Sequence, residues 1–134
     1  MVEEVKVISK EKKYRGQTLD HLKSLDTREF AKFLSARSRR TVLRNFDVVD
    51  KFVKSCESKI KNKKDIRTHL RDMVVVPKLV GMIISIHNGR SFQKVQINME
   101  MIGHRLGEFS LTRSRVKHTS AGVGATKGSR TKKK

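Results

Sequence analysis

Apolar residues recur at helical spacing through the first half of the chain and at alternate positions through much of the second. In "DVVDKFVKSCESKIK", Val49, Phe52, Val53, Cys56 and Ile60 fall at i, i+3, i+4, i+7 and i+11, the stripe of an amphipathic helix. Cys56 lies on that stripe and reads as a small core residue. "LDTREFAKFL" predicts an earlier helix. Asp26 followed three residues on by Glu29 is a capping box, and Phe30, Phe33 and Leu34 share one face. Continued at the same spacing, that stripe runs without a stop into Arg37, Arg40 and Arg44. A turn at Gly16 and a short helix after Thr18 come before it.

From Met73 the period changes. "MVVVP" predicts a short buried strand ended by Pro77. "GMIISIHNGRSFQKVQI" alternates on either side of Asn88-Gly89, the preferred pair of a two-residue type I′ turn, and so predicts a β-hairpin. Counted from that turn, His87 pairs with Arg90, Ile86 with Ser91, Ser85 with Phe92, Ile84 with Gln93 and Met82 with Val95. Met82, Ile84, Ile86, Val95 and Ile97 then face the core. Ile83, Ser85, His87, Arg90, Phe92, Lys94 and Gln96 form the other face, which is largely polar and basic and meets water or a polar partner. "NMEMIG" predicts one helical turn. Gly103 and Gly107 then permit tight backbone.

The ends carry no such periodicity. Residues 1–13 read as a mobile charged arm, 14–64 as a helical segment and 65–112 as a β-rich core, with the exposed linker "KNKKD" at the junction. Residues 113–134 read as an extended basic tail. No acid follows Glu108, and eight lysines or arginines lie between Ser110 and Lys134. The class is α+β with a basic tail.

Charge narrows the function. The 134 residues carry 32 lysines and arginines against 13 acids, a net charge of +19. Self-repulsion of that size opposes a compact free monomer, and nucleic acid is the commonest compensating polyanion. "RSRRTVLR" places Arg37, Arg39, Arg40 and Arg44 together with no acid among them. Arginine forks bind phosphate bidentately, so the segment reads as a phosphate clamp. No apolar run approaches the roughly 20 residues that span a bilayer, and the first residues lack a signal-peptide core. The single cysteine excludes an intramolecular disulfide and fits a reducing compartment.

Enzyme chemistry finds no support. In "GVGATKGSRTKKK", Lys127 precedes Gly128, the reverse of a Walker loop, and the glycines are spaced GxGxxxG, one residue off a dinucleotide fingerprint. The five histidines show no HxxxH or HExxH spacing, and one cysteine makes no zinc set. No catalytic residue, cofactor or metal is expected. A DNA-binding architectural protein is the competing reading of the same charge.

"HNGRSFQKVQINMEMIGHRLGEFSLT" resembles the signature of the small-subunit ribosomal protein S-nineteen family. Asn88, Gly89 and Arg90 match its opening, Ile97 its aliphatic position, and Ile102 and Gly103 its aliphatic-glycine pair. Leu106, Gly107, Glu108, Phe109 and Thr112 match its close. "THLRDMVVVPKLVG" and "VKH…GVGAT" also resemble the family. "YRGQTLDHL" and "SARSRR" resemble the N-terminal extension of its archaeal and eukaryotic branch. The arm and the ending "SRTKKK" do not match.

The resemblance implies a small two-layer domain with N-terminal helices packed on a three-stranded sheet, and no catalytic activity. It implies a cytoplasmic protein on small-subunit rRNA in the head of the small subunit. Its neighbour would be the S-thirteen family protein. Its tail would reach the decoding region and tRNA, near bridges to the large subunit. Arg37, Arg39, Arg40 and Arg44 would then grip one rRNA segment, and His69, Arg71 and Lys78 another. Arg90, His104 and Arg105 are further candidates, and Arg113, Arg115, Lys117, His118, Lys127 and Arg130 would follow phosphates or tRNA.

Overall fold

Tyr14 and Gln17 exchange backbone hydrogen bonds across Gly16 (2.9 and 3.0 Å), and that turn leads into the first helix. The computed structural model describes residues 12–113. Its helices are α1 (Leu19–Ser24), α2 (Thr27–Phe30), α3 (Ala36–Arg44) and α4 (Phe46–Lys61). Its strands are β1 (Ile66–Thr68), β2 (Ile83–His87) and β3 (Phe92–Gln96), and single 3-10 turns cover Ala31–Phe33, Pro77–Leu79, Met99–Met101 and Leu106–Phe109.

The helices follow the apolar stripes, with one correction. The Asp26 N–H donates to the Glu29 carboxylate at 3.4 Å, one arm of the expected capping box. Phe30 and Leu34 are fully buried, but they do not share a helix with the arginines. The helix ends at Phe30, passes through a 3-10 turn, and is extended at Leu34 and Ser35 before α3 begins. Leu34 enters the core only because the chain breaks there. On α4, Val49, Val53 and Cys56 are buried, Phe52 packs at the margin, and Ile60 is left exposed. Burial pushes the Cys56 thiol up to about 11, so it is an inert core group. Arg28 lies over the Phe46 ring at 4.4 Å and ties α2 to α4.

The sheet order is β1-β2-β3, parallel between β1 and β2 and antiparallel between β2 and β3. Ile66, Ile84 and Ile86 point into one core with Val42, Val49, Val53 and Leu79. Helices and a three-stranded sheet form the expected α+β domain.

Two sequence expectations need correction. The third strand is Ile66–Thr68, not Met73–Val76. A three-residue strand centred on a polar residue shows no period. Met73–Val76 is buried throughout, yet it bonds to an irregular segment instead of the sheet. Val75 N–H donates to His104 O (2.8 Å), Gly103 N–H to Val75 O (3.0 Å) and Leu106 N–H to Met73 O (3.0 Å).

The hairpin register is shifted by two residues. Ile84 pairs with Val95, Ser85 with Lys94, Ile86 with Gln93 and His87 with Phe92. The turn's central residues are Gly89 and Arg90, not Asn88 and Gly89. Gly89 has φ +97° while Asn88 and Arg90 remain at negative φ, which is the φ distribution of a type II′ turn. The Asn88 side chain explains the choice, because its Oδ1 accepts from Arg90 N–H (3.0 Å) and Ser91 N–H (2.8 Å). A two-residue slip keeps every side chain on its face, so the predicted core face stands although the partners change.

Candidate nucleic-acid interface

Nine residues of α3, "ARSRRTVLR", contain four arginines and no acid. Val42 is buried and turns that face to the core, which leaves the helix's other sides to water. Arg37, Arg40 and Arg44 recur at i, i+3 and i+7, and with Ala36, Thr41 and Asn45 they line one groove of about 610 Å³. Among the described residues none of the three forms an ion pair. Three guanidinium groups on one open groove concentrate positive charge there.

Arg39 points elsewhere. Its Nε donates to Ala31 O (3.2 Å), and its Nη2 donates to Lys32 O and Leu34 O (3.1 Å each). It closes the Lys32 and Leu34 carbonyls where the 3-10 turn ends, a C-capping role, and shares Ala31 O with the Leu34 N–H. Of the four arginines of the expected clamp, three line the groove and Arg39 is hydrogen-bonded to the chain break before α3.

Arg71 is likewise committed. Its Nη1 donates to His87 O (2.6 Å), and its Nη2 donates to Gly107 O (2.8 Å) and Ser110 O (2.6 Å). It joins the end of β2 to the last 3-10 turn and fixes where the chain leaves the domain. Ser110 is fully buried and donates its hydroxyl to Ile86 O (3.3 Å). Leu111 beyond it is exposed.

The remaining candidates are spread around the core. His69 stacks near His87, with ring centroids 4.5 Å apart. Lys78 lies on the 3-10 turn against α4. There the Asp50 carboxyl is held below its ordinary range, first by its 2.8 Å bond from Lys54 and more weakly by Lys78. Arg90 is exposed at the hairpin tip, and Arg113 is exposed at the last described position. The His104 Nδ1 meets Glu108 Oε2 at 2.7 Å, while the half-buried Arg105 gives its N–H to Glu108 Oε1 (3.1 Å). Arg115, Lys117, His118, Lys127 and Arg130 lie outside the described residues, as do residues 1–11 of the arm. Arg67 was not singled out by the sequence, and Lys94 only as one residue of the hairpin's polar face. The register sets both beside Ser85 on the sheet's outer face. Only alternation within β1 could have signalled Arg67, and β1 is too short to show it.

The family profile described as "Ribosomal protein S19" matches residues 37–118, more than half of the chain. The chain belongs to the S-nineteen family of ribosomal proteins. This S-nineteen protein is 47% identical over 126 residues to "Small ribosomal subunit protein uS19" of Halorubrum lacusprofundi, covering 90% of this chain and 89% of that protein. The signature residues of this family member mostly serve its architecture. Gly89 makes the turn, Ile97, Ile102 and Leu106 fill the core, and Glu108 receives Arg105 N–H. At Gly103 an added Cβ would lie 2.9 Å from the Tyr14 hydroxyl. Arg90 is the signature cation left exposed.

Proposed function

We propose that this ribosomal protein, a structural constituent of the small subunit, holds small-subunit rRNA in the head of the subunit through arginine–phosphate contacts centred on α3. The observation that carries this is the groove of Arg37, Arg40 and Arg44, three cations without ion-pair partners among the described residues. Lys78, Arg90, Arg105 and Arg113 add outlying contacts. Arg39 and Arg71 act as positioning residues, because their guanidinium groups are hydrogen-bonded to backbone carbonyls. The tail, with Arg115, Lys117, His118, Lys127 and Arg130, runs from the point fixed by Arg71 toward the decoding region and tRNA. A protein of the S-thirteen family and bridge elements of the large subunit are its neighbours, on cytoplasmic ribosomes. The family is structural, and the chain's role is to bind and shape RNA, not to catalyse.

Phosphate contacts give affinity and register, and folded RNA shape gives specificity. A competition gel shift tests this. The full chain should stay on a small-subunit rRNA transcript in the presence of excess duplex DNA of equal phosphate content. Equal displacement by DNA would favour an architectural DNA-binding protein instead.

A further inference from the structure

One face of the sheet carries a feature that phosphate clamping does not use. His87 pairs with Phe92 across β2 and β3, and Thr68 pairs with Ile86 across β1 and β2. His69, one residue past Thr68, is thereby set beside His87. The three rings, one from each strand or its immediate end, meet in a triangle, with both histidines edge-on to Phe92. Their centroids are 4.5 Å apart for His69–His87, 4.9 Å for His87–Phe92 and 5.1 Å for His69–Phe92. Ile66, Ile84 and Ile86 occupy the opposite, core face of the same strands.

The next row on the ring-bearing face is Arg67, Ser85 and Lys94. The Arg67 guanidinium lies 5.7 Å from the centre of the Phe92 ring. Its one ion pair among the described residues is an exposed 3.6 Å contact with Asp65, weak enough for a phosphate to displace. Phe92 is 38% exposed although it is the largest apolar group on this face. Unpaired nucleobases stack on such rings, while adjoining cations take the phosphates on either side. A duplex offers phosphates but keeps its base faces inside.

We propose that His69, His87 and Phe92 form a stacking platform for an unpaired nucleobase of small-subunit rRNA, with Arg67 and Lys94 on its flanking phosphates. The proposal rests on the rRNA reading above and adds a second, single-stranded contact to it. Sheet aromatics read a base by its π-face, so this contact contributes affinity with little dependence on salt. The α3 groove contributes the salt-dependent part.

The chain contains no tryptophan, so Phe92→Trp installs a single reporter at the platform. Titrating this full-length variant with a small-subunit rRNA transcript should quench its emission as the complex forms. Phe92→Leu and the exposed His69→Ala should each weaken binding roughly 5- to 100-fold without changing the slope of log affinity against log salt. Lys94→Gln should flatten that slope by about 0.7. Unquenched emission from the Phe92→Trp variant, in a complex that still forms, would overturn the platform while leaving the arginine groove standing. So would full affinity of His69→Ala alongside weakened binding by Arg37→Gln. A parent chain that fails to bind the transcript would bring down the rRNA reading, and the platform with it.

Discussion

Arg71 and Gly107 hold each other from both directions. Gly107 N–H donates to Arg71 O at 2.8 Å, and Arg71 Nη2 donates back to Gly107 O at 2.8 Å. A Cβ on Gly107 would lie 2.9 Å from Arg71 O and 3.0 Å from Arg71 Cβ. The pair clasps the last turn of the domain to the segment after β1. Arg71→Lys cannot reach His87 O, Gly107 O and Ser110 O at once, and should lower unfolding free energy by about 2–4 kcal/mol. Gly107→Ala should cost roughly 1–3 kcal/mol through forced displacement. Urea midpoints equal to the parent's for both variants would refute the clasp.

The groove and its support should separate in experiment. Replacing Arg37, Arg40 and Arg44 together with glutamine should leave the melting temperature near the parent's. It should flatten the salt dependence of RNA binding by about 2 to 3 units of log–log slope. Arg39→Gln should do the reverse, losing about 1–3 kcal/mol of stability with little change in slope, because its bonds run to Ala31, Lys32 and Leu34 carbonyls. Filter binding across a salt series, run beside thermal melts, distinguishes the two.

At the hairpin, Gly89 holds φ +97°, which a β-branched residue adopts only under strain. Gly89→Val should destabilise the domain by roughly 1–3 kcal/mol. Asn88→Ala should also weaken the turn, since Asn88 Oδ1 holds the Arg90 and Ser91 amides. Calorimetric melting temperatures matching the parent's would contradict the observed turn.

Glu108 gives the fold a pH dependence of defined sign. Arg105 N–H, with help from His104, holds the Glu108 carboxyl below its ordinary range. A depressed carboxylate stabilises the fold above its unfolded pKa of about 4.3, and the contribution is lost as pH falls through the folded value. The half-exposed side chain keeps the effect small. Denaturant midpoints should therefore drop as pH falls from about 5 to about 2, less steeply in Glu108→Gln than in the parent. Identical slopes would remove Glu108 from the account.

Cutting the chain after Thr112 removes every lysine and arginine of the tail but none of the contacts of Arg71 and Ser110. The shortened protein should melt as the parent does, and its RNA salt dependence should flatten by several units. An unchanged slope would reject the tail as a phosphate ligand.

Local rules carried much of the fold into the sequence. The α4 stripe, the Asp26–Glu29 cap and the alternation around Asn88–Ser91 all depend on neighbours a few residues apart, so they can be read along the chain. The cation excess, too, pointed to a polyanion before any fold was known. The signature that tied the chain to its family was legible as spacing alone. The break at Leu34 was not, because only burial against the core rewards leaving the helix there. Nor was the third strand, since Ile66–Thr68 gains its hydrogen bonds from β2, far along the chain.

The arginines divide along the same line. Sequence alone made the α3 segment cationic and pointed to an anionic partner. Tertiary structure decided that Arg37, Arg40 and Arg44 face a groove while Arg39 and Arg71 turn inward to carbonyls. It also decided that His69, His87 and Phe92 meet. Charge and periodicity are properties of one stretch of chain. Which cation stays free, and which rings touch, depends on backbone groups that only folding brings within hydrogen-bonding distance.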